Sequence, residues 1–563
     1  MDVALVPEPD GGARVRDLAG SPVASPATSV PPGALPTVVA ERERCDPRWV
    51  WPATSEIYPT LLRAGVTVAR CYDMELVEAL LLGYEGRWGE PRSLAAAWAR
   101  LRGAPVPTDP PARAPTPPGD AQGTLFDTAS APALADGADP VTALVEVHRE
   151  QARRVAAVAD PRRMRLLLAA ESAGALVAAE MAHHGLPWRV DVHDAILRDL
   201  LGEPSPVGGP PRKLVELNEK INAAFGQRLH PESPAEVLRA FSRHGITLPS
   251  TRAWVLRRVE HPAVPLLLEF KELYRIWTAH GWSWCQTWVR DGRFRPEYVP
   301  GGVVSGRWAT RGGGALQIPK VVRRAVVADP GWTFVVADAG QLEPRILAAV
   351  SGDAGMARAA GAGDMYAALA HEAFAGDRAR AKVALLGAMY GATGGEAAPA
   401  LATLRRSYPV AFAYVEQAAR TGEGGGLVRS WLGRTSPPAS AAVRVPGDDD
   451  GSSGDAPDVP DTRPGQAARA WGRFTRNFVI QATAAEWALS LLATLRAALS
   501  GTGAHLVFFQ HDEVVVHCPA EQAQAVVRAV HDAGDRARVL LFGDTPVRFP
   551  LGVSVVECYG DAK

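Results

Sequence analysis

Two aspartates, far apart in the chain, each follow a short apolar run that predicts a buried strand. Asp338 ends the run 335–337, and Asp512 stands three residues beyond Phe509. Two strand-end carboxylates that come together can hold two magnesium ions roughly 3.5–4 Å apart, the arrangement that supports phosphoryl transfer. A lone buried aspartate is more often a helix cap or half of an ion pair, so only the two residues together indicate a metal site.

A predicted helix with cations on one face lies between the two aspartates. Arg378 and Lys382 are four residues apart and therefore share a helix face, and Tyr390 returns to that side further along. Gly387 and Gly391 weaken an ordinary surface helix and permit the close approach of another segment. A solvated basic face is the alternative. Together with the aspartates, this pattern indicates an enzyme that handles nucleoside triphosphates.

Composition sets few further limits. The chain has 563 residues, 47% of them apolar, which suggests more than two domains with sizeable cores. The net charge of −1 gives no nucleic-acid signal, although acidic loops can offset a basic groove elsewhere. The five cysteines are scattered, which favours a reduced cytosolic protein without a structural zinc site. No run of eighteen uninterrupted apolar residues predicts a membrane span, and no signal peptide is apparent.

Changes in composition divide the chain into four parts. Residues 1–103 predict a small α/β unit, and residues 104–140, rich in Pro, Ala and Gly, predict a linker. Residues 141–300 have helical periodicity, and residues 301–563 contain both aspartates. Within the last part, the acidic stretch 436–465 predicts a disordered, solvated loop.

The linker contains one apolar pair in a polar setting, Leu125 and Phe126, preceded by Gln122. It resembles the peptide by which bacterial DNA polymerases bind the sliding clamp, a Gln followed by a Leu-Phe pair. Such short motifs also arise by chance, so an incidental apolar pair remains the alternative.

The surroundings of both aspartates resemble motifs of family A DNA polymerases, the DNA polymerase I type. Asp338-Ala-Gly-Gln-Leu-Glu-Pro-Arg resembles the family's Asp-Tyr-Ser-Gln-Ile-Glu-x-Arg, and His511-Asp-Glu resembles its last motif, a hairpin turn. The predicted basic helix resembles the family's fingers helix. Residues 305–319 and 477–484 resemble two further stretches, Thr-Gly-Arg with Leu-Gln-Asn-Ile-Pro and Asn-x-x-x-Gln-Gly-Thr-Ala. Five motifs in the family's order cover about residues 171–563.

The resemblance implies an α/β (α+β) fold. We expect a right hand of palm, fingers and thumb, with the helical connector and thumb in 141–300 and palm and fingers in 301–563. A small degenerate exonuclease domain of the ribonuclease H-like type would precede it, in 1–103. The implied activity is DNA-directed DNA polymerisation by two-metal phosphoryl transfer, in DNA repair or replication.

The resemblance also assigns roles to residues. Two Mg²⁺ ions would be held by Asp338, Asp512 and the backbone carbonyl of Ala339, and Glu513 and Lys382 would complete the catalytic set. Nucleotide binding is assigned to Arg378, Lys382, Leu386, Tyr390, Gln341, Glu343 and Tyr366. Glu343 would block a ribose 2′-hydroxyl and so select deoxynucleotides. Primer–template contacts, which test base-pair shape rather than sequence, are assigned to Arg307, Arg473, Asn477, Gln481 and His511.

Three positions depart from the family pattern. Leu386 stands where the fingers helix has an aromatic residue, Tyr366 stands where a histidine is common, and Ala339-Gly340 replaces Tyr-Ser. None of these changes removes a metal ligand. They predict a working polymerase that is slow or unusually selective for its nucleotide.

The family often carries a proofreading exonuclease that needs four carboxylates for two metals. In residues 1–103, Asp73 resembles one of them, and no Asp-x-Glu stands on a credible first strand. We therefore expect a structural remnant without nuclease activity. Alternatives are a polymerase that still proofreads, a non-catalytic scaffold that binds DNA or the clamp, and a single-subunit RNA polymerase. The expected partners are primer–template DNA, dNTPs and the sliding clamp, for a monomer in the bacterial cytoplasm at the nucleoid.

Overall fold

The computed structural model describes residues 1–18, 26–111, 134–205, 208–391, 397–440 and 464–562. The N-terminal unit has five strands: β1 (Asp2–Pro7), β2 (Ala13–Asp17), β3 (Thr28–Val30), β4 (Arg48–Trp51) and β5 (Arg70–Asp73). Its helices are α1 (Leu35–Glu43), α2 (Thr54–Arg63), α3 (Met74–Tyr84) and α4 (Leu94–Arg102). The strands form one sheet in the order β3-β2-β1-β4-β5. β1 is antiparallel to β2 and parallel to β4, which is parallel to β5.

The sequence predicts a strand at residues 37–40, and this prediction is wrong. These residues lie inside α1. Leu35 and Val39 are its buried residues, and their spacing of four places them on one helix face. Pro36 stands in the first turn, where its missing N–H costs nothing. Burial of this face outweighs the β propensity of the Thr-Val-Val run. The helices predicted at 56–64 and 74–82 are observed as α2 and α3.

Asp73 at the end of β5 is a structural residue in this fold. Its side chain is buried, and it accepts hydrogen bonds from the backbone N–H of Thr54 at 2.7 Å and of Leu76 at 3.0 Å. The second bond caps the N-terminus of α3. Burial raises the pKa of Asp73 above its ordinary value. The carboxylate therefore holds two chain segments together.

The second part of the chain is mainly helical. Its helices are α5 (Pro140–Ala157), α6 (Pro161–His184), α7 (Val190–Leu201), α8 (Arg212–Phe225), α9 (Pro234–Arg243), α10 (Ala253–Leu256), α11 (Ala263–His280) and α12 (Trp282–Trp288). Small strands accompany them: β6 (Leu186–Pro187), β7 (Val289–Arg290), β8 (Arg293–Phe294), β9 (Glu297–Val299) and β10 (Ala309–Arg311). Leu176 of α6 packs in the core of the N-terminal sheet, while other residues of α6 belong to the main core.

The third part is built on a four-stranded antiparallel sheet: β11 (Trp332–Ala339), β12 (His505–Gln510), β13 (Glu513–Pro519) and β14 (Leu551–Val556), in the order β12-β13-β11-β14. Its helices are α13 (Leu342–Ser351), α14 (Ala354–Gly361), α15 (Met365–Ala373), α16 (Arg378–Tyr390), α17 (Ala397–Ser407), α18 (Pro409–Glu423), α19 (Pro464–Leu499) and α20 (Ala523–Phe542).

At both ends of the acidic loop predicted at 436–465, the structure differs from the prediction. Ser436 is buried and pairs with Val428 through backbone and side-chain hydrogen bonds, and α19 begins at Pro464. Residues 441–463 lie outside the described part of the chain.

Two described helices, α6 and α19, are long and apolar enough by length and composition to cross a membrane. Within their most apolar windows, 61% and 83% of the residues are buried inside the fold. Core helices of soluble proteins pass the same test, so the observation is weak evidence for a membrane span.

Partly buried histidines join α6 to the central sheet, and His517 nearby is buried. His184 stacks on His505 with ring centroids 3.7 Å apart, and His517 stacks on Trp332 at 4.6 Å. Burial lowers the pKa of His184 from 6.5 to about 3 and that of His517 to about 4. Because these values lie below those of the unfolded chain, the unfolded chain takes up protons first as the pH falls. We expect unfolding free energy to drop by about 2–4 kcal/mol between pH 6.5 and 4, measured by urea titration.

His184→Phe keeps a stacked ring without a titrating group, so this variant should lose less stability in acid than the wild type. His531→Gln, a change at an exposed histidine on α20, is the matched control and should titrate like the wild type. The same acid loss in His184→Phe as in the wild type would contradict the prediction.

Candidate active site

The two strand-end aspartates lie side by side in the structure. Asp338 pairs with Glu513 across β11 and β13, and the backbone N–H of Ala339 donates to the carbonyl of Asp512 at 3.0 Å. His511 makes the tight turn between β12 and β13 with a left-handed φ of 57°. Burial, and next the charge of Asp338, raise the pKa of Asp512 to about 6. Two adjacent carboxylates of this kind repel each other unless a cation lies between them.

This donor set fits magnesium. Carboxylate oxygens and a backbone carbonyl at Ala339 are the hard ligands that Mg²⁺ prefers, and the ion usually keeps water or substrate phosphates as its other ligands. Within the described ranges, no group of three or more His, Cys, Asp or Glu side chains could hold a metal ion. A centre here would therefore depend on the two aspartates and on ligands from the substrate.

A cavity of about 260 Å³ opens beside Asp512. Most of the predicted nucleotide-binding residues line it, together with two predicted DNA contacts. These residues are Arg307, Gln341, Glu343, Tyr366, Leu386, Tyr390, His511 and Asp512. They come from the turn after β11, from α13, α15 and α16, from the loop before β10 and from the β12–β13 turn. The fold thus brings together residues separated by two hundred positions.

Glu343 forms part of the wall of this cavity, and its carboxylate has two hydrogen-bond partners. The guanidinium of Arg307 donates to Oε1 of Glu343, and the hydroxyl of Tyr390 donates to Oε2. Burial, and next the charge of Glu343, raise the pKa of Tyr390. Both carboxylate oxygens are therefore occupied, which fixes the rotamer of Glu343 between the fingers helix α16 and the loop that carries Arg307.

The amide side chain of Gln341 forms hydrogen bonds within the protein. It has a left-handed φ of 59° between β11 and α13. Its amide nitrogen donates to Asp364 at 2.7 Å, and its amide oxygen accepts from the N–H of Met365 at 2.8 Å. Although burial raises the pKa of Asp364, the bonds from Gln341 and Arg378 hold it at about 2. Gln341 thus anchors α15 to the strand end of Asp338.

The four predicted residues of α16 divide into two groups. Leu386 and Tyr390 line the cavity, whereas Arg378 and Lys382 are exposed. Arg378 donates to Asp364 at 2.8 Å and lies over the ring of Tyr366, 5.6 Å from its centroid. The cations thus stand at the outer end of the helix, one or two turns from the cavity.

The C-terminus of α16 approaches α19 closely. Gly391 has a φ of 73°, and a Cβ there would lie 3.0 Å from Cγ of Arg473. One face of α19 carries a residue at every fourth position: Arg473, Asn477 and Gln481. The next position in this series, Ala485, lines the cavity. Oδ1 of Asn477 is buried without a hydrogen-bond partner among the described residues. This stripe forms a polar track along α19 that leads into the cavity.

Glu513 is engaged by residues that the sequence did not single out. Its Oε1 accepts from the guanidinium of Arg323 at 3.3 Å and from the hydroxyl of Tyr559. Arg323 also donates to Oε1 of Gln510 at 3.1 Å and lies over the Tyr559 ring. No sequence signal marks Arg323 or Tyr559, because they lie far from Glu513 in the chain.

Arg345 is fully buried, and none of the described carboxylates forms an ion pair with it. Its guanidinium donates to the backbone carbonyls of Gly340, Ala360, Ala362, Gly363 and Arg548. Burial lowers its pKa. Arg345 thereby fastens α13 to two loops and fixes the turn that follows Asp338. The motif that begins at Asp338 contains Arg345, but its residue pattern predicts no role for this arginine.

The clamp-binding prediction falls outside the described residues. Gln122, Leu125 and Phe126 lie within 112–133.

Comparisons with known proteins show the family and the fold of the chain. The model of the family described as DNA polymerase family A matches residues 211–556. The thermostable DNA polymerase I of Thermus aquaticus is 28% identical over 343 residues, covering 54% of this chain and 37% of that protein. DNA polymerase I of Chloroflexus aurantiacus is 28% identical over 272 residues, covering 43% of this chain and 27% of that protein. The matched region thus spans about a third of these relatives.

A solved structure shares the fold. The polymerase domain of Pol1 from M. smegmatis, in a complex with DNA primer-template and dNTP, aligns with a TM-score of 0.71 and 16% identity. The alignment covers 99% of this chain and 95% of that one. The predicted polymerase fold is confirmed, whereas the exonuclease-like character of residues 1–103 stays a prediction.

Proposed function

The chain belongs to DNA polymerase family A, and from this premise we propose that it is a DNA-directed DNA polymerase that extends primer 3′ ends with deoxynucleotides. The observation that supports this most is the meeting of Asp338 and Asp512 beside a cavity walled by the fingers helix α16. Carboxylates on a rigid sheet, with cations on a facing helix, are what phosphoryl transfer requires.

Family A polymerases use divalent metal ions, and we propose that Asp338, Asp512 and the Ala339 carbonyl hold two Mg²⁺ here. Bound there, the ions would lower the pKa of the primer hydroxyl and neutralise charge on the triphosphate. The protein itself aligns the reactants. Arg378 and Lys382 bind the phosphates, while Leu386 and Tyr390 pack against the nucleotide. Glu513 stays a supporting group, because Arg323 and Tyr559 already occupy its carboxylate.

The departures at Leu386 and Tyr366 bear on nucleotide binding, because both residues line the cavity that we propose for the nucleotide. An aliphatic side chain offers the sugar less contact surface than an aromatic one. We propose that nucleotide affinity is weak for this family and that the polymerase is slow or unusually selective. A dNTP affinity typical of the family would contradict this.

The proposed DNA contacts are Arg307, His511 and the track along α19. Arg473, Asn477 and Gln481 point along one helix face, so one strand of primer–template DNA could follow them into the cavity. Affinity for DNA should then fall steeply with salt. We also propose that the protein acts as a monomer in the bacterial cytoplasm, at the nucleoid, and that residues 122–126 bind the sliding clamp.

We propose that residues 1–103 carry no nuclease activity, because both carboxylate oxygens of Asp73 already accept backbone hydrogen bonds. Asp73→Ala should lower unfolding free energy by about 1–2 kcal/mol through loss of the α3 cap and should leave DNA chemistry unchanged. Thermal melting and primer extension measure the two effects. Asp10→Ala, which removes an exposed turn carboxylate of the same unit, is the control. If the wild type shortens the primer and Asp73→Ala does not, the N-terminal unit is an active proofreading nuclease and this proposal is wrong.

The experiment that tests the proposed function is extension of a 5′-labelled primer with magnesium, with and without dNTPs. Extension with dNTPs and no shortening without them would support a polymerase that lacks proofreading. Shortening without dNTPs would favour a polymerase that retains its exonuclease. Tight DNA binding without extension would favour a non-catalytic scaffold and overturn the proposal.

A further inference from the structure

A buried ion pair lies behind the active site, between Glu171 of α6 and Arg434 in the loop before α19. The two side chains are only 2% and 8% exposed, so the pair is almost completely removed from water. Breaking such a pair is costly, because the remaining charge stays buried and uncompensated. Glu171 and Arg434 are 263 positions apart, so they join distant parts of the fold.

The loop that carries Arg307 lies directly on this pair. A Cβ on Gly301 would stand 2.6 Å from Oε1 of Glu171, and a Cβ on Gly306 would stand 2.3 Å from Nε of Arg434. Both glycines have positive φ, 62° and 85°. Nε of Arg434 is buried and has no hydrogen-bond partner in the described ranges. The backbone of residues 301–306 thus packs on the pair with no space for a side chain.

The pair is itself held from the other side. The N–H of Ser430 donates to the carbonyl of Arg434 at 2.8 Å, and the N–H of Leu432 donates to Glu486 of α19 at 3.0 Å. The N–H of Trp431 donates to Thr483, also on α19, at 3.1 Å. Arg434 is therefore fixed to the helix that forms the polar track.

We propose that Glu171 and Arg434 are a positioning pair for Arg307. The pair fixes the 301–306 loop, and the loop fixes the guanidinium that contacts Glu343 and faces Asp512 in the cavity. This inference rests on the proposed polymerase function. Neither member of the pair lines the cavity, so the pair acts through Arg307 and through the loop backbone.

The test is a double-mutant cycle of Glu171→Gln with Arg307→Ala, read as kcat and KM for primer extension. Glu171→Gln keeps the side-chain shape and should lower kcat/KM about 10- to 100-fold, since a misplacement near 1 Å can cost that much. In the Arg307→Ala background, the same change should cost less than about twofold. Equal losses in both backgrounds would overturn the proposal.

Two further variants separate positioning from folding. Gly306→Ala keeps both charges but pushes the loop off Arg434, so it should reproduce the kinetic loss. It keeps the proposal testable if Glu171→Gln does not fold.

Glu78→Gln is the matched control, because Glu78 forms another buried ion pair, with Arg100 at 2.9 Å, in the N-terminal unit. It should lower the melting temperature and leave extension unchanged. Loss of extension in Glu78→Gln similar to that in Glu171→Gln would also overturn the proposal, whereas a wild type without any extension would overturn the polymerase function itself.

Discussion

Asp512→Asn is expected to lower primer extension by at least about 10³-fold while making the protein more stable. The change removes one of two carboxylates at the strand ends. The two described glutamates nearby are already engaged, Glu513 by Arg323 and Tyr559 and Glu343 by Arg307 and Tyr390, so they are poor replacements. DNA affinity should change by less than about threefold, since phosphate contacts by arginines provide most of it.

The expected gain in stability follows from the pKa of Asp512. Burial and the charge of Asp338 raise this pKa from 3.8 to about 6. A raised pKa means that the stability present below pH 3.8 is lost as the pH rises through 6. At pH 7.5 the charged carboxylate therefore destabilises the fold, and a neutral asparagine relieves about 1–3 kcal/mol of that cost. Thermal melting in metal-free buffer should show a higher midpoint for Asp512→Asn.

Asp329→Asn is the matched control, because Asp329 precedes the opposite end of β11 and pairs with Arg293. It should leave extension intact and should not raise the melting midpoint. Full extension activity in Asp512→Asn would contradict the proposal that Asp512 belongs to a metal centre. A lower melting midpoint in that variant would mean that the charge of Asp512 is already compensated within the protein.

Glu343→Ala is expected to raise ribonucleotide incorporation relative to deoxynucleotide incorporation by about 10²-fold. The carboxylate stands on the cavity wall, where Arg307 and Tyr390 hold both of its oxygens. A rigid wall excludes an added hydroxyl more strongly than a mobile side chain does. Removal of the wall opens space for a 2′-hydroxyl. Single-nucleotide extension with matched rNTP and dNTP measures the ratio of kcat/KM values.

Tyr390→Phe is a milder test of sugar selection by Glu343. It keeps the ring in the cavity and removes the single hydroxyl that fixes Oε2 of Glu343. The sugar discrimination should therefore weaken by about 3- to 10-fold, an intermediate effect. If Glu343→Ala changes rNTP and dNTP extension equally, Glu343 supports the fold of the cavity and does not select the sugar.

The sequence predicts the parts of the site that have a local signature. The apolar runs before Asp338 and Asp512 predict two strand ends, and the four-residue spacing of Arg378 and Lys382 predicts a shared helix face; both are observed. The partners of these residues could not be predicted. Arg307 and Glu343 are 36 positions apart, Tyr390 and Glu343 are 47 apart, and only the tertiary fold makes them neighbours.

Backbone partners are hidden from the sequence for another reason. Arg345 binds carbonyl groups, which every residue possesses, so no residue type marks its partners in advance. The strand predicted at 37–40 fails because β propensity is local, whereas burial of Leu35 and Val39 is decided by the neighbouring sheet. Sequence thus indicates which side chains carry the chemistry, and tertiary contacts decide how rigidly they are held.

Helix α6 gives the chain a shared interior. Leu176 packs among the residues of the N-terminal sheet. At the end of β5, the thiol of Cys71 donates to the carbonyl of Ser172, and the backbone N–H of Asp73 donates to the Ser172 hydroxyl oxygen. The same helix supplies Glu171 to the buried pair behind Arg307. Among the described residues, one hydrophobic core therefore extends from the first hundred residues into the polymerase fold, and truncating them would expose it. Selection can retain this unit for cooperativity of folding alone, whatever chemistry its carboxylates have kept or lost.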